Sequence, residues 1–298
     1  MDALEFHLVD VFAARPLSGN GLTIVFAEPP LDARLMQALT IELRQFETIF
    51  LTREAGPSTG PSTWRARVFT MEEELDFAGH PAIGAAAQIH HLFHAGEAQA
   101  TITLRLNRQS VTLDSEAVEG GYRATMHQQA PNFLRTLAPG EERALLAALG
   151  IDPTRRVGTL PMEVVTTGLA YLIVPVDGDG LAGARISGSN LEAHLAAVGA
   201  RFAYLLDAHA REGRTWDNLG RVEDIATGSA AGPAGAYLVR HGLAQAGAAL
   251  TIEQGRFVGR PSKIEVLVSR HGVADIGGIA VSGEVRLIAS GRIGPLAI

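Results

Sequence analysis

The chain has 298 residues, 47% of them hydrophobic and 19% charged, with 25 Lys and Arg against 32 Asp and Glu and a formal net charge of −7. That length supports one large or two medium domains with proper cores. The acidic balance argues against a nucleic-acid surface, and no apolar run is long enough to span a bilayer. Cysteine is absent, which excludes a thiolate nucleophile, a disulfide and a thiolate metal site and is compatible with a reducing cytoplasm, the expected location. The opening MDALEFHLVDVF has an early acid and no basic stretch, so no signal peptide is expected.

In chain order, Phe6 to Phe12 alternates like a strand, turns through Leu17 to Gly21 and continues as a strand from Leu22 to Phe26. Pro30 to Gln45 carries Leu35, Met36, Leu39 and Leu43 at helical spacing behind an Asp32 cap. Strands are predicted at Thr48 to Thr52 and Trp64 to Thr70, separated by a Gly/Pro/Ser/Thr loop from Gly56 to Thr63. The helix after Gly79 is nearly all small or apolar until His90, which predicts burial, and Ala100 to Leu106 with Ser110 to Leu113 reads as a hairpin around Asn107. A boundary is expected near Glu119-Gly120-Gly121, giving halves of 1–118 and 119–283, with 284–298 a candidate to return to the first. Beyond it come a strand from Tyr122 to His127, a helix from Pro139 to Leu149, and strands at Met162 to Thr166 and Leu169 to Val176. A helix from Ser189 to Val198, a strand from Phe202 to Leu206, and a helix after Gly228 leading to strands up to Ile288 complete the pattern. The fold class is α+β, a mixed or antiparallel sheet wrapped on a buried helix.

The pattern occurs twice. Shifting DFAGHPAIGAAAQIHHLF (Asp76 to Phe93) by 149 residues, half the chain, lays Gly79 on Gly228, His80 on Ser229, and Ala82, Ala85 and Ala87 on Ala231, Ala234 and Ala236. The second copy, VEDIATGSAAGP (Val222 to Pro233), sets Glu223 and Asp224 ahead of a helix start. Such a start presents unpaired N–H groups and the positive end of the helix dipole, a place for a carboxylate.

Other motifs lead nowhere. GHPAIG and GSAAGPAG lack the dinucleotide fingerprint, and no phosphate loop is present. His90, His91 and His94 share about one helical turn without an acid in register, and read as a solvated helix end rather than a metal site. Asp177 to Gly180 lacks the later Glu of a calcium loop and reads as a simple turn. On residue type alone, Glu47 reads as a solvated carboxylate at a helix-to-strand junction. His80 reads as a cap or core histidine, Asp224 as a turn carboxylate, and Ser229 as a helix cap.

FAGHP (Phe77 to Pro81) and VEDIATGSAAGP resemble the signatures of the PhzF-like family, phenazine-biosynthesis isomerases that share the diaminopimelate epimerase fold. VDVFAARPLSGN, FETIFL (Phe46 to Leu51), TTGLAYLIVPV (Thr166 to Val176) and QGRFVGRPS (Gln254 to Ser262) extend the likeness along almost the whole chain. The resemblance implies two pseudo-symmetric halves, each a curled sheet around a central helix, an active site in the cleft between them, and a homodimer. It implies isomerisation of a cyclic dihydro-hydroxyanthranilate with Glu47 as general acid/base, a role suited to a carboxyl whose pKa is raised by apolar neighbours such as Phe46, Ile49 and Phe50. His80 and Asp224 join it as catalytic candidates, with Asp224 better cast as a positioning group. Gly79, Gly228, Ser229 and Asn20 are the substrate-binding candidates.

Epimerases and racemases resembling this architecture use two thiols, which this chain lacks. Proton transfer through one principal base then follows, with no cofactor and no metal. The expected partner is a small-molecule carboxylate, with no nucleic acid and no membrane. Phe46 stands where the family has a small polar residue, Gly21 and Met71 where proline is common, and Arg214 to Asn218 replaces a Phe-Ser-Pro-type stretch. These departures favour a different small cyclic or amino-acid-like carboxylate. The alternative is a catalytically silent relative that binds a small carboxylate or a protein partner.

Overall fold

The computed structural model describes residues 3–54, 62–77, 79–186, 190–271 and 275–295. Most of the loop expected from Gly56 to Thr63, and the expected helix start at Ser189, lie outside them. The chain forms two compact units, Met1–His127 with Ser282–Ile298, and Gln128–Val281.

The first unit contains β1 (Leu4–Val11), β2 (Asn20–Phe26), α1 (Ala33–Leu43), β3 (Thr48–Arg53), β4 (Ser62–Phe69), β5 (Glu74–Leu75), α2 (Gly79–Phe93), β6 (Gln99–Arg105), β7 (Ser110–Val118) and β8 (Gly121–Gln128). From Ser282 onward it also includes the chain's last strand, β16 (Asp275–Ile293). Its sheet runs β1-β2-β3-β4-β6-β7-β8-β16. Because β1 pairs with β16 as well, from Leu4↔Ile293 to Val11↔Val285, the sheet closes on itself. Inside lies α2, buried at every residue from Gly79 to His90. A helix apolar on all sides must be enclosed, and its small side chains let the strands come close. A Cβ at Gly84 would lie 2.5 Å from Leu22 Cδ2 and 2.9 Å from Val11 Cγ2.

On the outer face α1 starts where the Asp32 carboxylate accepts the Leu35 N–H (2.9 Å) and stops at Arg44, whose φ is 56°. Its Leu35, Met36 and Leu39 pack with Val25, Phe50 and Phe69. The Glu119-Gly120 pair is a two-residue hairpin turn between Val118 and Gly121, not a linker. Gly120 supplies the positive φ that such a turn needs. The division between units therefore falls one strand later than the glycines suggest.

The second unit contains β9 (Asn132–Thr136), α3 (Pro139–Ala148), β10 (Glu163–Thr166), β11 (Ala170–Pro175), α4 (Gly178–Gly183), α5 (Leu191–Ala197), β12 (Phe202–Asp207), β13 (Glu212–Arg214), α6 (Gly228–Arg240), β14 (Ala249–Gln254) and β15 (Ser262–His271). Its strands follow the order β16-β15-β14-β13-β12-β11-β10-β9. The β11–β12 and β13–β14 pairs are parallel. The central helix is α6, buried from Ala230 to Leu238. The opposite face of β10 to β12 carries α3, α4 and α5, whose Leu145, Leu181 and Leu195 pack with Val164, Leu172 and Leu205. In each unit, then, a mixed sheet curls around a small-residue helix, and the architecture is α+β.

Two readings of the sequence are corrected. Asp177-Gly178-Asp179-Gly180 is not a simple turn but the capped start of α4, with Asp177 Oδ1 accepting the Gly180 N–H at 2.7 Å. His90 is not solvated: it is fully buried, with Nδ1 2.9 Å from Ser115 Oγ and Nε2 3.1 Å from the Glu97 carbonyl. Among the described residues no helix is long and apolar enough to cross a membrane.

Candidate active site

In the first unit Asn20 opens β2, Glu47 immediately precedes β3, and His80 is the second residue of α2. Strands β2 and β3 are parallel, with Thr23 opposite Thr48, so both begin at the same end. The turn before Asn20 depends on Gly19, whose φ is +70° and where a Cβ would lie 2.4 Å from the Val11 carbonyl oxygen. The Asp10 carboxylate secures the same turn by accepting the Leu17 N–H at 2.7 Å.

These three side chains converge. His80 Nδ1 lies 3.5 Å from Glu47 Oε2 and 3.5 Å from Asn20 Nδ2. All are buried, with Glu47 8% and Asn20 1% exposed. Burial pushes the His80 pKa down from 6.5 to about 3, so the ring is neutral near pH 7. At 3.5 Å the carboxyl is too distant for a strong hydrogen bond, and desolvation outweighs the pairing. His80 Nε2 is buried, with no hydrogen-bond partner among the described residues.

Of the apolar neighbours expected around Glu47, Ile49 is fully buried one strand repeat away on the same face. Phe50 points to the other face, its ring 5.7 Å from Phe69 under α1, and Phe46 is half-buried. The expected shielding by Phe50 is therefore not present, because successive side chains of a strand alternate between faces.

In the second unit Asp224 precedes α6, and Gly228 and Ser229 are its first two residues. Thr227 occupies the N-cap but does not cap the helix with its side chain. Instead its hydroxyl donates to Asp224 Oδ2 at 2.5 Å. The Thr227 carbonyl accepts the N–H groups of Ala230 and Ala231. No hydrogen bond from the Gly228 or Ser229 amide occurs among the described residues. Ser229 Oγ lies 2.8 Å from the Tyr171 hydroxyl, so the serine side chain is tied to β11 rather than acting as a cap.

The other acid of the motif is a counter-ion. Arg214 Nε and Nη2 donate to the two Glu223 carboxylate oxygens at 2.8 and 2.7 Å, and Nη1 donates to the Leu181 carbonyl at 2.6 Å. The guanidinium lies 4.5 Å from the Trp216 ring and 4.2 Å from that of Phe257. Arg214 and Trp216, which depart from the family pattern, therefore build a buried cation cage, and Asp224 is the remaining acid. Thr227, Tyr171 and Gln254 complete the local network. All three lie in segments that carry the resemblance, Tyr171 in TTGLAYLIVPV, Thr227 in VEDIATGSAAGP and Gln254 at the head of QGRFVGRPS, but none was singled out there as a site residue.

A family model described as phenazine biosynthesis-like protein (PhzC-PhzF) matches residues 9–291. The chain is 32% identical to a trans-2,3-dihydro-3-hydroxyanthranilate isomerase of Pseudomonas chlororaphis, over 87% of this chain and 88% of the relative. It is 46% identical, with a TM-score of 0.89, to the structure of a protein described as a predicted epimerase from Pseudomonas aeruginosa, covering 98% of this chain and 99% of the other. A hydroxyproline epimerase from Agrobacterium vitis with bound trans-4-hydroxy-L-proline shares the fold at 12% identity and a TM-score of 0.64, covering 98% of this chain and 92% of the other.

Proposed function

The chain belongs to the phenazine biosynthesis-like protein family and is an isomerase of that type, and on that footing we propose that it moves a proton on a small cyclic or amino-acid-like carboxylate with Glu47 as general acid/base. The observation that carries this reading is the buried Glu47 carboxyl beside a neutral His80. As carboxylate, Glu47 removes an activated C–H proton. As acid, it returns that proton at the other end of the conjugated system. No cofactor enters this scheme.

His80 and Asn20 can accompany either protonation state of Glu47. While Glu47 is ionised, the His80 tautomer with hydrogen on Nδ1 faces it favourably. The other neutral tautomer, with hydrogen on Nε2, presents a bare Nδ1 that accepts from a protonated Glu47 or from the Asn20 amide. The neutral imidazole stores no charge in either tautomer, and its Nε2 is left for the substrate, accepting from a hydroxyl when bare and donating to a hydroxyl or carboxylate when it carries the hydrogen. Gly79 at the start of α2 joins this group as a backbone donor. In the second unit, the amides of Gly228 and Ser229 are assigned carboxylate binding and Asp224 the positioning of a polar substrate group. The P. chlororaphis relative supports a cyclic hydroxy-anthranilate type of substrate. The altered residues at Gly21, Phe46 and Met71 support a related carboxylate in its place.

The test is incubation with a panel of small cyclic and amino-acid carboxylates in heavy water, trans-2,3-dihydro-3-hydroxyanthranilate included. Turnover by this route exchanges or moves a carbon-bound proton. Glu47→Gln is expected to lower it by about 10²–10⁴-fold. Full activity in that variant, measured by NMR of the product, removes Glu47 from the mechanism.

A further inference from the structure

Gln254, the last residue of β14, is 1% exposed, and all four hydrogen-bonding positions of its amide are occupied. Its Nε2 donates to the Asp224 carbonyl at 2.8 Å and to Thr227 Oγ1 at 3.0 Å. Its Oε1 accepts from the Thr227 N–H at 3.3 Å and from the Tyr204 hydroxyl at 3.2 Å. This pattern admits one orientation of the amide, since a flip would set its oxygen against the Asp224 carbonyl.

The backbone is built to bring these groups together. Gly255, at φ +84°, leaves a space where a Cβ would lie 2.6 Å from the Ile225 carbonyl oxygen. Gly213 leaves room for Tyr204, whose hydroxyl oxygen would be 2.1 Å from a Cβ at that position. Burial raises the Tyr204 pKa, so its hydroxyl keeps its proton and acts as a donor. Several ionisable groups near the segment have partners of their own. Glu223 is paired with Arg214, Glu212 with Arg256, and Tyr171 hydrogen-bonds Ser229.

We infer that Gln254 is a positioning residue for Asp224, acting through a directional chain from the Tyr204 hydroxyl to the Gln254 amide, then to the Thr227 hydroxyl, and so to the Asp224 carboxylate. The direction follows from valence. Because the Thr227 oxygen accepts from Gln254, its single proton is aimed away from the amide, at Asp224 Oδ2. A hydroxyl donor on a carboxylate favours the ionised form and fixes which oxygen faces the loop. Gln254 thus holds the loop by its backbone and sets the charge state of its side chain, without needing to touch a substrate. The catalytic relevance rests on Asp224 being a site residue, as proposed above; the chain itself does not.

The experiment follows the titration of Asp224 by NMR of protein labelled with carbon-13 at aspartate carboxyls, without ligand. Asp224→Asn assigns the signal. Gln254→Met frees the Thr227 hydroxyl to turn away, and Thr227→Val removes the donor while leaving Gln254 in place. Both are expected to raise the Asp224 midpoint by about one pH unit, while the Asp207 and Asp217 signals stay put. If Gln254→Met does not fold, Thr227→Val carries the donor step and Tyr204→Phe the relay, with a smaller shift in the same direction expected for Tyr204→Phe. An unmoved Asp224 midpoint in the folded variants overturns the proposal. The heavy-water exchange assay on the same variants separates the two readings. A shifted midpoint with unchanged exchange leaves the chain standing and removes Asp224 from the function.

Discussion

The buried neutral His80 should make the protein lose stability in mild acid by an amount set almost wholly by the unfolded chain. Its pKa is 6.5 when exposed and about 3 when folded, lowered by desolvation. The sign follows directly. The unfolded state binds a proton as pH falls through 6.5, the folded state does not, and unfolding is therefore favoured. The stabilisation is complete above the unfolded value and erodes as pH drops toward the folded one. Between about pH 7.5 and about pH 5 the linkage integrates to about 2 kcal/mol. Any folded pKa well below 5 gives the same figure, so the result does not hinge on the depth of the depression. The assay is urea unfolding at both pH values for the natural protein and for His80→Gln. Subtracting the two cancels other groups common to both, including His7, whose pKa burial also lowers. The variant should lose about 2 kcal/mol less than the natural protein across this interval. Repeating the pair in a Glu47→Gln background removes the carboxyl 3.5 Å away as a source of the difference. Equal pH slopes for the natural protein and His80→Gln would refute the reasoning, because His80 would then take up a proton in the folded state as readily as in water.

Two further predictions concern the framework around Asp224. Arg214→Met leaves Glu223 buried without its bidentate partner and should cost about 3–5 kcal/mol in denaturant unfolding. Arg214→Met combined with Glu223→Leu should cost much less than the two single losses added, and simple additivity in that cycle would show that the pair is not coupled. Gly255→Ala forces a side chain into positive φ with Cβ 2.3 Å from the Arg260 carbonyl oxygen. It should lower stability by about 1–3 kcal/mol or more, seen as a fall in Tm, and an unchanged Tm would mean that the turn can relax elsewhere.

What could be read from the sequence was local or periodic. The equivalence of Gly79 and Gly228 rested on small residues repeated at one offset, and α2 and α6 do begin at those two glycines. Asp32 announced α1 because an N-cap acts within a single turn. What stayed hidden depends on partners far along the chain. The fate of His90 is decided by Ser115 on β7, and nothing in its own helix reports that contact. Arg214 read as one part of an altered stretch, whereas its role comes from Glu223, Trp216 and Phe257 meeting around it. The helix α4 (Gly178–Gly183) is poor in helix formers and is held by its Asp177 cap and the burial of Leu181. For the candidate site, the residues were nameable and their coupling was not. The 3.5 Å contacts joining Asn20, Glu47 and His80 link three separate segments.

The closure of the first unit's sheet has a bearing on the order of events during synthesis. Strand β1 leaves the ribosome well before residues 285–293, which alone complete one of its edges. Until those residues emerge, the first unit is a ring with a gap, and the edges of β1 and β8 that β16 will occupy are exposed templates for other strands. The second unit, Gln128–Val281, is finished before the segment that seals the first. The half made first is thus completed last, and the wait for β16 is the interval in which a chaperone has most to protect.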